Sequence, residues 1–201
     1  MQLGYAAWAD LFYRPAMSRP PREAFPWSVR GRRSMRLPDR DYRQPGAYFI
    51  TICTKNRART FGAVISGTVH LSPEGEIAQD LWLAIPRHFP NAQLDTFVVM
   101  PDHIHGILIL LSHPDAQPRP RRFADAVPAS ISTILGAYKA EVTKRVKALH
   151  DRAGVRQRPV GTVWQRNFYE RVIRGANELQ AVRAYIRDNP GRWALRTPRD
   201  R

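Results

Sequence analysis

Cysteine is almost absent from this sequence, which has one, Cys53, among 201 residues. A single thiol excludes an internal disulfide and a structural zinc site built from several thiolates. Because Cys53 lies in an apolar run, we interpret it as a small buried side chain. Two common catalytic signatures are also missing, the Gly-x-x-x-x-Gly-Lys phosphate loop and the Gly-x-Ser-x-Gly nucleophile elbow.

Long apolar runs are missing too. The sequence has no stretch of about 18 apolar residues, so no membrane span is predicted. Its first residues contain no apolar segment of the roughly 7–15 residues that a secretory signal needs. Together with the single cysteine, these absences predict a cytoplasmic protein with no membrane partner.

Acidic residues are few relative to basic ones. The sequence has 32 Lys+Arg against 17 Asp+Glu, a formal net charge of +15. Such an excess favours a polyanionic partner, and nucleic acid is the first candidate. An acidic membrane surface is the alternative, but it would require a compact basic block beside an apolar anchor, whereas these arginines are spread along the chain.

The chain length fits one domain with additional segments. Residues 1–34 hold four prolines and show no lasting periodicity, so they are predicted to form a disordered or loosely attached N-terminal extension. The domain itself is predicted over residues 35–195, and residues 196–201 are a short tail.

Within that domain, apolar periodicity and turn residues predict strands and helices in alternation. Strands are expected at 47–53, 97–100 and 104–111, a hairpin at 62–71 with its tip at Ser66-Gly67, and an extended segment at 163–174. Three helices are expected. The first follows Ser72-Pro73 and would include Ile85, the second begins at about residue 131, and the third covers 177–188. Asn189-Pro190-Gly191 would stop the third helix. Loops are expected at 112–127 and 151–161. Because several strands are neighbours in sequence, an α+β fold with an antiparallel sheet is favoured.

His103-Ile104-His105 is the first candidate site. In a strand, residues two apart point to the same face, so both imidazoles could reach one metal ion. Ile104 would point to the opposite face, into the core. The alternative is two surface histidines on a half-exposed strand, but a histidine pair inside an apolar strand needs polar partners.

Tyr185 and Asn189 are the second candidate. They are four residues apart, so they share one face of the last helix. The alternative is a packing tyrosine and an asparagine that caps the helix. A phenol, with a pKa near 10, becomes a useful nucleophile when a metal ion polarises the phosphorus that it attacks. An amide oxygen suits Mg²⁺, and mixed nitrogen and oxygen ligands suit Mn²⁺ at least as well.

The third candidate is the stretch at 163–174, in which aromatic residues alternate with arginines. That pattern is typical of surfaces that stack unpaired bases and bind phosphates. The alternative is an edge strand with ordinary core aromatics. The nucleic-acid-binding candidates in this stretch are Trp164, Gln165, Arg166, Tyr169, Arg171 and Arg174.

Together these motifs resemble those of the single-tyrosine HUH transposases of the insertion-sequence type, and most of all the REP-associated tyrosine transposases. The resemblance covers about residues 36–193. Four segments in the same order carry it: 45–54, then Val99-Met100-Pro101-Asp102-His103-Ile104-His105-Gly106, then 163–174, and last Tyr185-Ile186-Arg187-Asp188-Asn189-Pro190. One departure is Arg171, where the family often has a histidine.

The resemblance implies a ferredoxin-like fold of the HUH endonuclease type, similar to an RNA-recognition domain. It implies that His103, His105 and Asn189 bind Mg²⁺ or Mn²⁺ and that Tyr185 is the nucleophile. The implied reaction is site-specific cleavage and rejoining of hairpin-associated single-stranded DNA, through a 5′-phosphotyrosine, by a monomer or homodimer.

Two other functions stay open at this point. One is a protein of the same fold that binds hairpin DNA or RNA without catalysis. The other is a metal phosphodiesterase that uses water and forms no covalent link to DNA.

Overall fold

The computed structural model describes residues 45–111, 130–153 and 162–195. The predictions for residues 1–34, for the loop at 112–127 and for the tail at 196–201 lie outside the described residues. The described helices and strands follow one another in this order: β1 (Gly46–Cys53), β2 (Gly62–Ile65), β3 (Thr68–Leu71), α1 (Pro73–Leu83), α2 (Ile85–His88), β4 (Ala92–Met100), β5 (His103–Leu110), α3 (Ile131–Arg152), β6 (Tyr169–Ile173) and α4 (Ala176–Ala194).

The main sheet has four antiparallel strands in the order β4-β5-β1-β6. Counted along the chain, this places the second, third, first and fourth strands of the sheet side by side, which is the ferredoxin-like order. The predicted α+β class is therefore confirmed. β2 and β3 form a separate hairpin, and its tip is Ser66-Gly67, as predicted, with φ angles of 51° and 78°.

Helices α1 and α3, which pack on the same face of the sheet, each begin at a serine cap. The Ser72 hydroxyl accepts a hydrogen bond from the Gly75 N–H at the start of α1, and Ser130 does the same for Thr133 at the start of α3. Along α3 the buried positions recur at helical spacing, so one stripe of the helix packs on the sheet: Ile131, Ile134, Leu135, Tyr138, Val142 and Val146.

Strand alternation divides the interior into two cores. One face of β1 and β5 packs against α1 and α3, and its members include Ile50, Ile104 and Trp82. The other face packs against α4, with Phe49 and Ile107 among its members. The sheet is thus covered on both faces, and among the described helices α4 is the one that packs on the second face.

Several element boundaries differ from the sequence predictions. β4 begins at Ala92, five residues before the predicted start, and α3 runs to Arg152, into the predicted loop at 151–161. The last helix does not stop at 189–191 but continues through Pro190 to Ala194. The helix after Ser72-Pro73 ends at Leu83, and Ile85 begins the separate short helix α2. Strand β5 begins at His103, one residue before the predicted start. None of the helices in the described part of the chain is both long and apolar enough to cross a bilayer.

Candidate active site

β5 places His103 and His105 on the α4 face of the sheet, in the same alternation as Ile107. Ile104 points into the opposite core, as predicted. The two imidazoles are 5% and 2% exposed, and their ring centroids are 4.4 Å apart. This geometry excludes the alternative of two surface histidines, and it leaves a buried polar pair that must be satisfied by partners.

Each histidine has a partner at its Nδ1 atom. His105 Nδ1 is 2.8 Å from the hydroxyl of Thr51, which faces it across the β1–β5 ladder. His103 Nδ1 is hydrogen-bonded to the carboxylate of Asp102 in the tight turn between β4 and β5. Both partners are themselves buried, with 4% of Thr51 and 8% of Asp102 exposed.

α4 covers the histidine pair with three residues spaced one turn apart. The Tyr185 ring lies 5.3 Å from His105, and the Trp193 ring lies 5.8 Å from His103. Asn189, between them on the same helix face, is 5% exposed. The Tyr185 hydroxyl is 3.5 Å from Nε2 of His105. The second pair of predicted residues therefore meets the first pair, and Asn189 is a residue within the helix rather than its cap.

Phe49 connects this site to the third predicted stretch. Its ring stacks on His105 at 5.3 Å and meets Tyr185 edge-on at 5.9 Å. Tyr169, on the edge strand β6, meets the same Phe49 ring at 6.3 Å and is 37% exposed. The exposed Tyr169 ring is thus linked to Tyr185, the candidate nucleophile, through ring contacts with Phe49.

The rest of that stretch is divided between core and surface. Trp164 is 1% exposed and donates its indole N–H to the carbonyl of Lys139, so it is a core residue rather than a stacking platform. Gln165 and Arg166 are exposed, and the Lys139 ammonium binds both of their carbonyl oxygens, at 2.5 and 3.3 Å. Burial lowers the pKa of Lys139.

The two remaining arginines of the stretch lie near the start of α4. The Arg171 guanidinium is paired with Glu178, and the same carboxylate accepts a hydrogen bond from the Arg174 backbone N–H. Both arginines are exposed. Arg171 lies on the α4 face of β6, beside Phe49 in the β1–β6 register, and so flanks the aromatic cluster.

Three arginines that the sequence did not single out contact residues next to the histidine pair. Arg57 Nη1 is 3.6 Å from Asp102 Oδ1, and the guanidinium of Arg59 lies 5.9 Å from the centre of the Trp193 ring. Arg192 lies 5.6 Å from the centre of the Tyr185 ring. Arg57 has a left-handed backbone, with φ 55°, which is uncommon for a residue with a side chain. These arginines form a basic rim on the same side as the tyrosine.

The donor set fits a divalent ion with nitrogen and oxygen ligands: two imidazoles and, one helical turn from the tyrosine, a buried amide. In the described residues no group of three or more His, Cys, Asp or Glu side chains is arranged to hold a metal. Cys53, which the sequence analysis interpreted as buried, is half-buried and lies opposite His103 in the β1–β5 ladder. Burial raises the pKa of its thiol.

No family model matches the chain. The chain is 33% identical over 168 residues to an uncharacterized protein of Haemophilus influenzae, covering 82% of this chain and 91% of that protein. A solved REP-associated tyrosine transposase, bound to a REP hairpin, is similar with a TM-score of 0.52 and 18% identity, over 81% of this chain and 76% of that chain. At that identity the likeness is one of fold, and it agrees with the fold that the motifs imply.

Proposed function

We propose that this chain, which belongs to one family with the Haemophilus influenzae protein and has the fold of a REP-associated tyrosine transposase, cuts and rejoins single-stranded DNA. Tyr185 is the nucleophile in this proposal. The observation that carries it is the 3.5 Å distance from the Tyr185 hydroxyl to Nε2 of His105, in a buried pair of histidines. A phenol beside two imidazoles, with a buried amide one helical turn away, suits metal-assisted phosphoryl transfer to tyrosine.

The proposed cofactor is Mg²⁺ or Mn²⁺, held by His103, His105 and the amide oxygen of Asn189. The three residues lie on facing elements, two on β5 and one on α4. When bound, such an ion supplies positive charge to the oxygens of the scissile phosphate. The chain itself supplies the position of the phenol, because α4 holds Tyr185 against His105 and Phe49.

The proposed reaction is a transesterification. The Tyr185 oxygen bonds to phosphorus, and the bond from phosphorus to the 3′ oxygen of the preceding nucleotide breaks. The phenol proton is lost to solvent and the departing 3′ oxygen takes up a proton, which leaves a 5′-phosphotyrosine and a free 3′-OH. Attack by another 3′-OH on the phosphotyrosine reverses these steps and joins two strands.

DNA is the proposed substrate because cations and an exposed aromatic ring lie around the tyrosine. The basic rim of Arg57, Arg59 and Arg192 can bind phosphates on one side of it. Tyr169 can stack on an unpaired base across Phe49. The proposed set is completed by Gln165, Arg166, Arg171 and Arg174. A hairpin beside the cleaved strand is proposed because the solved transposase of this fold is bound to one.

The test uses single-stranded hairpin DNA labelled at either end, with Mn²⁺, and denaturing electrophoresis that resolves free DNA from protein-linked DNA. Tyr185→Phe removes one oxygen and is expected to abolish both cleavage and the covalent adduct. Tyr169→Phe is the matched control, since that ring also contacts Phe49 and keeps its stacking surface, and it is expected to retain both.

Two results would replace the proposal with one of the alternatives. Cleavage by Tyr185→Phe without an adduct would indicate a phosphodiesterase that uses water. Binding without cleavage by the unaltered protein, with hairpin substrates and both metals, would indicate a protein that only binds nucleic acid. The proposed active form is a monomer or a homodimer.

A further inference from the structure

We propose that Asp102 and Thr51 are positioning residues that fix the tautomers of His103 and His105, so that both imidazoles coordinate the ion through Nε2. This inference rests on the metal site of the proposed function. It assigns roles to two side chains that touch neither the DNA nor the ion.

The backbone of Asp102 is held in place by hydrogen bonds of its own. It occupies the two-residue turn between β4 and β5, and its carbonyl oxygen accepts hydrogen bonds from both the N–H and the hydroxyl of Thr54, each at 2.9 Å. A residue in a turn does not follow the alternation of the strand, so its carboxylate can bond to the next residue, His103. The two hydrogen bonds from Thr54 thereby fix the backbone that carries the carboxylate.

The chemistry of the Asp102–His103 contact allows one direction only. An ionised carboxylate accepts hydrogen bonds and cannot donate them, so Nδ1 of His103 carries the proton. In a neutral imidazole the lone pair then lies on Nε2, which is the atom that can coordinate a metal. Because only 5% of His103 is exposed, water cannot readily replace the Asp102 carboxylate as the hydrogen-bond partner of Nδ1.

Thr51 acts on His105 more weakly. A hydroxyl can donate or accept, so the 2.8 Å contact to Nδ1 permits either tautomer. Coordination through Nε2 requires that Nδ1 carry the proton and that the Thr51 oxygen accept it. The β1–β5 ladder pairs Thr51 directly with His105, which holds the ring orientation in either case. The two histidines therefore differ. The tautomer of His103 is fixed before the ion binds, whereas the tautomer of His105 can change when the ion binds.

Removing such partners commonly weakens metal binding without removing a ligand. Asp102→Asn keeps the size of the side chain, but its amide can donate to Nδ1 and so stabilise the tautomer that cannot coordinate through Nε2. Thr51→Val removes the hydroxyl at constant shape, and Thr51→Ser restores it. Matched controls are Asp80→Asn and Thr68→Val, the same chemical changes at exposed positions on α1 and β3.

Two measurements test the inference in the full-length protein. Isothermal titration with Mn²⁺ is expected to show affinity reduced about 10- to 100-fold in Asp102→Asn, with a smaller loss in Thr51→Val. Thr51→Ser and both controls are expected to bind like the unaltered protein. Nitrogen NMR of the imidazoles without metal is expected to show His103 as the Nδ1–H tautomer, and a mixture of tautomers in Asp102→Asn.

The outcomes separate this inference from the proposed function. Equal Mn²⁺ affinity and unchanged tautomers in both variants would overturn the roles of Asp102 and Thr51 and leave the metal site standing. An unaltered protein that binds neither Mn²⁺ nor Mg²⁺ would overturn the metal site and this inference together. If Asp102→Asn fails to fold, as judged by thermal melting, the comparison of Thr51→Val with Thr51→Ser decides the matter.

Discussion

Gly106 follows His105 in the centre of the sheet, at a place where a side chain cannot fit. A Cβ atom there would lie 2.4 Å from a ring carbon of the fully buried Trp82 and 3.2 Å from Cβ of Phe97. We expect Gly106→Ala to lower the free energy of unfolding by about 1–3 kcal/mol, since an overpacked core must shift. Urea denaturation measures the loss.

Gly136→Ala is the matched control for that substitution. Gly136 is exposed within α3, and nothing lies within 4 Å of its virtual Cβ, so the added methyl should stabilise the helix by about 0.5–1 kcal/mol. Equal stability of Gly106→Ala and the unaltered protein would mean that Trp82 can move away at no cost.

At the scale of single residues, the sequence could predict the site's central groups but not their partners. His103, His105, Tyr185 and Asn189 follow from spacing, because strand and helix periodicity assign faces without knowledge of the fold. Thr51 could not be found this way, since its bond to His105 joins residues 54 apart and depends on the register between two strands.

The helix that carries the tyrosine is anchored to the sheet by an ion pair. Arg183 Nε and Nη2 bind the two oxygens of Asp95 on β4, at 2.9 and 2.5 Å, and the side chains are 15% and 4% exposed. Arg183→Ala would leave a buried carboxylate without its cation. We expect the free energy of unfolding to fall by about 3 kcal/mol. This is at the low end of the range for buried ion pairs, because Thr96 still donates hydrogen bonds to Asp95. Urea denaturation again gives the value.

The control for this substitution is Arg145→Ala on α3. Arg145 also pairs with a carboxylate at 2.9 Å, that of Glu141, but the two side chains are 54% and 36% exposed. An exposed pair contributes about 0–1 kcal/mol, so this variant should remain close to the unaltered protein. Similar losses in the two variants would show that the pair on α4 is no more than a surface contact.

Pro190 shows why the end of α4 could not be predicted from local signals. Proline lacks an N–H and its ring crowds the preceding turn, which costs a helix interior about 3 kcal/mol or more. The helix nevertheless continues to Ala194, where Trp193 is 9% exposed and packs on His103. Tertiary burial outweighs the local penalty here, and a single sequence does not display that contact.

A second link between elements depends on pH. His150 Nε2 near the end of α3 is 2.6 Å from Glu74 Oε1 in the first turn of α1. Burial acts to raise the pKa of Glu74, but hydrogen bonds from His150, the backbone and Ser72 outweigh it and lower the pKa below its ordinary value. Stability from this carboxylate is therefore present above about pH 4.3 and is lost as pH falls through the lower folded-state pKa.

Glu74→Gln is expected to lower the melting temperature at neutral pH, and the difference should shrink as the pH falls below the folded-state pKa of Glu74. The matched control is Glu76→Gln, an exposed position in the same helical turn, with the same loss of charge at the helix N-terminus. A melting difference for Glu74→Gln that stays constant from neutral to acid pH would contradict the assignment.

On the scale of the whole molecule, the two faces of the sheet have different roles. α1 and α3 close one face with an apolar core, whereas α4 closes the other and brings its tyrosine to the histidines. The fold class could be predicted because strand and helix patterns alternate clearly along the chain. Among the described helices, the division that places α1 and α3 on one face and α4 on the other is set by long-range packing, which a local sequence pattern does not contain.

The charge of the whole chain sets the last prediction. With a net charge of +15, binding to single-stranded DNA should weaken steeply with salt, with a log–log slope near −4 if about 6 phosphates are neutralised. Replacing Arg57 and Arg59 by glutamine should reduce the magnitude of that slope by about 1.4, because each lost phosphate contact contributes about 0.7.

Replacing Lys144 and Arg145, which lie exposed on α3 over the opposite face, removes the same charge and should change the slope little. Fluorescence anisotropy over a salt series measures all three proteins. Equal slopes for the two double variants would place the DNA away from the basic rim, and a flat response in the unaltered protein would remove nucleic acid as its partner.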